Sequence, residues 1–131
     1  MKLITRNTDY AVMALRYICK NKGRVISVKD LTRGVGIPGP FLRMILQALS
    51  QKKLLKSFKG RGGGFMLTSL PQKILLVDLM EIFQGPFVLN ECIFKKKLCP
   101  YRYGCALKRE INDIEDKVIT KLKSITLASL L

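Results

Sequence analysis

Histidine is absent from this sequence of 131 residues. Histidine is the side chain that usually titrates near neutral pH, and it is also the commonest metal ligand. Its absence therefore excludes hydrolases in which a serine or cysteine nucleophile depends on a histidine base. The sequence also shows no paired carboxylates and no nucleophile beside a base, so we do not expect an enzyme.

Long apolar runs are missing as well. No segment approaches the roughly 18 consecutive apolar residues that a membrane-spanning helix needs. The start of the chain carries charge, but it lacks the apolar stretch of a signal peptide. We therefore expect a cytoplasmic protein that does not enter the membrane.

Acidic residues are scarce, and their distribution is uneven. The chain has 24 Lys and Arg against nine Asp and Glu, which gives a net charge of +15. Residues 1–70 hold 14 of the basic residues and only Asp9 and Asp30 as acids, whereas the remainder holds 10 basic and seven acidic residues. A folded basic half is typical of a surface that binds a polyanion such as nucleic acid. The alternative is a basic face that only keeps the protein soluble.

Apolar periodicity and helix start and stop signals predict three helices in the basic half. They span about Thr8 to Asn21, Val28 to Gly34 and Pro40 to Lys53. Asn7 or Thr8 is the expected N-cap of the first helix, and Ser27 that of the second. The second and third helices are joined by a short glycine turn, which suggests a helix-turn-helix whose last helix enters the major groove.

A basic β-hairpin follows directly. Residues 54–59 and 65–68 alternate as strands do, and the glycine-rich segment 60–64 separates them. A hairpin after a helix-turn-helix is a wing, and Lys59 and Arg61 at its tip are suited to contact phosphate or the minor groove. The glycines are not a P-loop, because they lack the Gly-Lys-Ser/Thr ending and precede a strand.

The second half contains two more helical patterns and an aperiodic segment. A short helix is expected from about Leu75 to Gln84, and a helix of roughly 25 residues, or ~37 Å, from about Ala106 to Leu131. A monomer of this size has little to bury such a helix against, so a second subunit is its expected partner. The predicted fold class is mainly α with a small β-hairpin: a winged helix-turn-helix domain (1–70), then a linking helix, cysteine segment and dimerisation helix (71–131).

Four cysteines are present: Cys19, Cys92, Cys99 and Cys105. In a cytosolic chain, clustered cysteines favour metal ligation or redox chemistry over structural disulfides. Cys19 stands apart on the apolar stripe of the first helix, and we interpret it as a small buried hydrophobe.

Several motifs together resemble the Rrf-two family of winged-helix transcriptional regulators, in its iron–sulfur type (IscR-like and NsrR-like members). The matching residues are 8–11, 41–42, 60–65, Asp78, 85–86, the three clustered cysteines and 126–130. The resemblance covers nearly the whole chain, and the wing and the cysteine spacing are its specific parts. It implies a homodimer that binds double-stranded DNA at a palindromic operator, with the two C-terminal helices crossing.

The resemblance also implies an iron–sulfur cluster, [2Fe–2S] or [4Fe–4S], held by Cys92, Cys99 and Cys105. Three thiolates with six and five intervening residues can converge on one soft metal centre. Zinc bound by the same thiolates, or a thiol redox switch without metal, remains an alternative.

The sequence departs from the family pattern at two positions. IscR-like members of the family have a histidine as fourth ligand near the position of Lys108. The nitric-oxide-sensing, NsrR-like members instead use an aspartate of the partner subunit, and this aspartate matches Asp9. We therefore expect Asp9 as the fourth ligand, unless its carboxylate only interacts with the helix dipole. The second departure is Arg43, which stands where IscR-like members have a glutamate in the recognition helix. Because arginine prefers guanine and glutamate prefers cytosine, a different operator is expected.

The sequence thus predicts a transcriptional regulator whose operator binding depends on the cluster. Arg43 and Gln47 are the expected base-reading residues. The expected backbone contacts come from Arg33, Lys52, Lys53, Lys56, Lys59, Arg61, Gly62 and Gly63. Two alternatives stay open: a regulator without a cluster, controlled by thiol oxidation, zinc or a protein partner, and an electron-transfer iron–sulfur protein. The sequence does not distinguish a repressor from an activator.

Overall fold

The computed structural model describes residues 2–89, 100–101 and 103–131. Five α-helices, two strands and two short 3-10 turns follow one another along this part of the chain. Their bounds are α1 Arg6–Lys20, α2 Val28–Val35, α3 Gly39–Gln51, β1 Leu55–Phe58, β2 Gly64–Leu67, a 3-10 turn Pro71–Lys73, α4 Leu76–Gln84, α5 Ala106–Lys123 and a 3-10 turn Ala128–Leu130. The mainly helical fold class with one hairpin is therefore confirmed.

Helix α1 begins earlier than its sequence signals indicate. Thr5 is its N-cap, and neither Asn7 nor Thr8 has that role, so the predicted cap is wrong. Thr8 is fully buried in the first turn, where its hydroxyl donates to Oε1 of Gln84 at 2.8 Å. The backbone N–H of Thr5 donates to the same oxygen at 3.0 Å. The threonine thus joins α1 to the end of α4.

Helix α2 has its predicted N-cap, Ser27, whereas α3 begins one residue before and ends two residues before its predicted bounds. The Ser27 side chain accepts from the backbone N–H of Asp30, and the Asp30 carboxylate accepts from the N–H of Ser27. This capping box begins α2, and Gly36 ends it in the left-handed conformation. Helix α3 then packs through four buried residues, Leu42, Ile45, Leu46 and Leu49, whose spacing gives one continuous apolar face.

The hairpin is antiparallel, with Leu55 opposite Leu67 and Phe58 opposite Gly64. A third segment joins its edge, because Ile26 and Phe65 exchange two backbone hydrogen bonds of 2.8 Å each. Isolated two-stranded hairpins are only marginally stable in water. The wing is therefore attached to the loop before α2 as well as to the end of α3.

The C-terminal helix is shorter than predicted. Helix α5 ends at Lys123, after 18 residues and ~27 Å, and does not continue to Leu131. The backbone N–H of Leu127 donates to the carbonyl of Ile74 at 2.8 Å, and Leu127 is 1% exposed in the main core. Thr126 and Ser129 also exchange side chain–backbone hydrogen bonds that compete with helical ones. Burial of Leu127 and this local bonding explain why the helix stops.

The main core combines residues from both halves of the chain. Leu15 of α1, Leu46 of α3, Ile74, Leu79 of α4 and Leu127 belong to one buried cluster. Within the described residues, no helix is both long and apolar enough to cross a membrane.

Candidate nucleic-acid interface and cysteine segment

Helix α3 presents a polar face opposite its buried one. The side chains of Arg43 and Gln47 are exposed, and they are four residues apart, so they lie one above the other on the same side of the helix. This is the placement that a pair of base-reading side chains needs. The predicted contacts themselves remain a prediction.

Two apolar residues of α3 are also exposed, which the sequence analysis missed. Phe41 is 43% and Met44 is 45% exposed. Phe41 packs edge-to-face against Tyr10 of α1, with ring centroids 6.3 Å apart. Counting 100° per residue from the buried leucines would have placed Met44 on the outer face. Apolar side chains at such a position can contact the methyl group of thymine.

The wing presents its cations to solvent. Lys56, Lys59 and Arg61 are exposed, and Nζ of Lys56 lies 5.4 Å from the centroid of the Phe58 ring. Gly62 is exposed at the turn, whereas Gly63 is partly covered. A Cβ at Gly63 would lie 2.3 Å from the carbonyl oxygen of Phe58, so only glycine fits there without a shift of the turn.

Three further predicted cations lie outside α3 and the wing. Arg33 is exposed in the last turn of α2, and Lys52 and Lys53 are exposed between α3 and β1. Lys52 lines a shallow groove together with Asp78 and Glu81. These carboxylates lower the local positive potential, so Lys52 is less favourably placed to bind phosphate than the exposed cations of the wing.

Only part of the predicted metal site lies in the described residues. Cys105 is half-buried at the N-cap of α5, and Asp9 is exposed in the first turn of α1. Cys92 and Cys99 lie outside the described residues. Within the described part of a single subunit, no three cysteine, aspartate or glutamate side chains come together as a metal site. The predicted ligand set is therefore untested.

Cys19 has the surroundings of a structural residue. It is half-buried and packs against the main core. Burial raises the pKa of its thiol, an effect that the charge of Lys22 partly opposes. A thiol with a raised pKa is less reactive at neutral pH, which agrees with the interpretation of Cys19 as a small hydrophobe.

Comparison with protein-family models gives one family for almost the whole chain. The model of the Rrf2 family, described as iron-dependent transcriptional regulators, matches residues 4–131. The chain belongs to the Rrf2 family. The resemblance inferred from the wing and the cysteine spacing is thus confirmed, and with it the role of a DNA-binding transcriptional regulator.

Individual relatives agree with this assignment. A putative HTH-type transcriptional regulator of Aquifex aeolicus strain VF5 is 33% identical over 69% of this chain and 62% of its own length. The HTH-type transcriptional regulator NsrR of Bacillus subtilis strain 168 is 27% identical over 99% of this chain and 90% of its own. The solved structure of CymR, the global cysteine regulator of B. subtilis, is similar with a TM-score of 0.81 at 26% identity, covering 99% of this chain and 96% of that one.

Proposed function

We propose that this Rrf2 regulator binds operator DNA as a homodimer, with an affinity that depends on an iron–sulfur cluster held by Cys92, Cys99 and Cys105. The observation that carries the DNA-binding part is the placement of Arg43 and Gln47 on the outer face of α3, next to a basic wing. Two observations support the cluster: three thiols lie within a segment of fourteen residues, and the chain belongs to a family described as iron-dependent.

The described residues fit a dimer. Along α5, Leu107 is 69% and Ile114 is 47% exposed, although both belong to its apolar stripe, and Leu122 is its one buried residue. An apolar helix face left in water is the kind of surface that a second subunit covers. A twofold dimer would present two recognition helices to two half-sites of a palindrome, about 34 Å apart.

The donor chemistry fits an iron–sulfur group. Thiolates are the ligands that such clusters use, and a carboxylate can complete the set. Cys105 lies at the N-terminus of α5, where the first turn carries no acidic residue, and the partial positive charge of the helix end favours an anionic group. When bound, the cluster would supply redox and ligand-exchange chemistry; Asp9 of the partner subunit is the proposed fourth ligand.

The test is to purify the protein without oxygen and to measure its absorption spectrum, iron and acid-labile sulfide. We expect absorption near about 400 nm from thiolate–iron bonds, and its loss in Cys99→Ala but not in Cys19→Ala, the matched control outside the segment. Loss of this absorption in Asp9→Ala would support Asp9 as the fourth ligand. A protein without iron and sulfide after reconstitution would refute the cluster proposal.

Operator binding is tested separately, on DNA selected by the protein from a random-sequence pool. In the original chain, operator affinity should differ between cluster-loaded and cluster-free protein. Cys99→Ala should retain the fold, and its operator affinity should be the same with and without iron–sulfur reconstitution. If the variant responds like the original chain, the cysteine segment does not control DNA binding.

A second candidate is control by thiol oxidation without a metal. It is favoured by the structural likeness to CymR proteins, one of which, from Staphylococcus aureus, has been solved in an oxidized form, and by the free, half-buried thiol of Cys105. In this case metal-free protein would bind the operator fully and lose affinity on mild oxidation. Cys105→Ser would remove that response, whereas Cys19→Ser would keep it.

A further inference from the structure

A cavity of about 470 Å³ lies away from the recognition helix and the cysteine segment. It is enclosed by the end of α1, the end of β2 and the 3-10 turn that follows the hairpin. Small-molecule sites usually measure roughly 300–1,000 Å³, so the volume suits a small ligand. None of the residues proposed above for DNA or cluster binding lines it.

The interior of this cavity is mainly apolar. Ile18, Met66 and Leu67 form part of its wall, and Ile18 is only 2% exposed. Leu70 and Leu131 line it as well, and each is 53% exposed. These two large apolar side chains are half in water, and they would lose part of that exposure if an apolar group entered the cavity.

The charged side chains of the lining all carry the same sign. Lys22 and Arg24, on either side of Gly23, both contribute to it, and none of the described lining side chains is acidic. Arg24 also acts on Asp30, but that carboxylate has its pKa lowered mainly by hydrogen bonds from Ser27 and does not line the cavity. The two cations are therefore available to an anionic group at the rim.

Cys19 lines the same cavity. Burial raises the pKa of its thiol, so at neutral pH it adds a neutral, weakly polar surface to the wall. It also gives the cavity a chemical reporter, since a ligand in the cavity would shield this sulfur from a thiol reagent.

We infer that this cavity is a binding site for a small amphipathic anion, whose apolar tail contacts the leucine and methionine wall and whose carboxylate or phosphate pairs with Lys22 and Arg24. Apolar walls with a few convergent polar groups are the usual composition of such sites. The inference does not depend on the cluster or on DNA.

The experiment uses the full metal-free chain and three probes with the same tail: octanoate, octyl phosphate and octylammonium. Alkylation of Cys19 by iodoacetamide is followed by peptide mass spectrometry, which separates it from the other cysteines. We expect at least one of the two anions to slow alkylation in a saturable way at concentrations below micelle formation, and octylammonium to have little effect. The more strongly protecting anion identifies the preferred head group.

A charge-reversed variant tests the assignment of the rim. Each exposed ion pair changes affinity by about 1.4- to fivefold, so loss of both in Lys22→Glu with Arg24→Glu should weaken binding of the anion by about two- to 25-fold, and the new carboxylates repel the anion in addition. Lys20→Glu with Lys29→Glu changes the net charge equally at exposed residues outside the cavity lining and should leave binding nearly unchanged. Circular dichroism checks that both variants fold.

Three results would overturn the inference: no protection by either anion, equal protection by octylammonium, or equal weakening in both charge-reversed variants. Because no DNA and no metal are present, each of these results would leave the proposed regulatory function untouched. Conversely, saturable and anion-selective protection of Cys19 would stand even if the protein contained no cluster.

Discussion

Gly64→Ala should destabilise the protein strongly, although it adds only one methyl group. A Cβ at this position would lie 2.3 Å from the carbonyl oxygen of Ile26. This oxygen belongs to backbone and cannot rotate away. The wing would have to separate from Ile26, and both hydrogen bonds between Ile26 and Phe65 would be lost.

The expected magnitude follows from those contacts. Two backbone hydrogen bonds contribute about 2 kcal/mol net. The φ angle of Gly64 is +154°, and holding alanine in a region that favours glycine costs about 1–3 kcal/mol. We therefore expect a loss of about 3–5 kcal/mol in the free energy of unfolding, out of a typical total of about 5–15 kcal/mol.

Gly62→Ala is the matched control. Gly62 also has a positive φ, +76°, but a Cβ there would meet no atom within 4 Å, so only the backbone cost of about 1–2 kcal/mol applies. Both variants are unfolded with urea and followed by circular dichroism, at one protein concentration because a dimer's stability depends on it. If Gly64→Ala were no less stable than Gly62→Ala, the attachment of the wing to Ile26 would not contribute as argued here.

Three further predictions concern other contacts. Thr8→Val removes the buried hydroxyl that donates to the carboxamide at the end of α4; urea unfolding should show a loss of about 1 kcal/mol, since that oxygen keeps a second donor, and no loss would contradict it. Hydrogen bonds from Ser27 lower the pKa of Asp30, so the stability that its charge adds is complete above the unfolded pKa of about 3.9 and is lost as pH falls through the lower folded value. Asp30→Asn should therefore be less stable than the original chain at neutral pH, and the difference in urea midpoints should vanish in acid rather than grow. In fluorescence anisotropy, Arg43→Ala should weaken operator binding by about 1–3 kcal/mol and relax base preference at one position, whereas Lys59→Ala should weaken all sequences alike and reduce the salt slope by about 1; equal loss on all sequences for both would refute the assignment of Arg43.

Local signals in the sequence were enough to predict the helix-turn-helix and the wing. The capping box at Ser27 and the glycines of the wing act within a few residues of themselves, so their effect is visible without tertiary contacts. The family, too, could be inferred, because the wing and the cysteine spacing are specific.

Tertiary contacts decided the features that sequence reasoning missed. Thr8 resembles an N-cap by residue type, but its hydroxyl bonds to Gln84, 76 residues away. The apolar stripe of α5 continues in the sequence to Leu127. The helix nevertheless ends at Lys123, because Leu127 is hydrogen-bonded to Ile74 in the main core. Met44 was given no role in the sequence analysis, and it lies exposed on the outer face of α3.

The return of the chain after α5 has a mechanical consequence. Leu127 is anchored in the main core, and Leu122 is buried in a second cluster with Leu76 and Met80 of α4. Helix α5 is therefore fixed at its C-terminal end, and Cys105 lies at the other end of a helix of ~27 Å. A displacement of about 2 Å at the cysteine end of such a helix corresponds to a tilt of only about 4–5° at its anchored end. A small displacement of Cys105 would therefore change the angle of α5 relative to the main core. The size of that angle for a given displacement depends on the length of α5. Lengthening this helix by one turn would increase the distance between the cysteine end and the anchored end without altering any residue proposed to contact DNA.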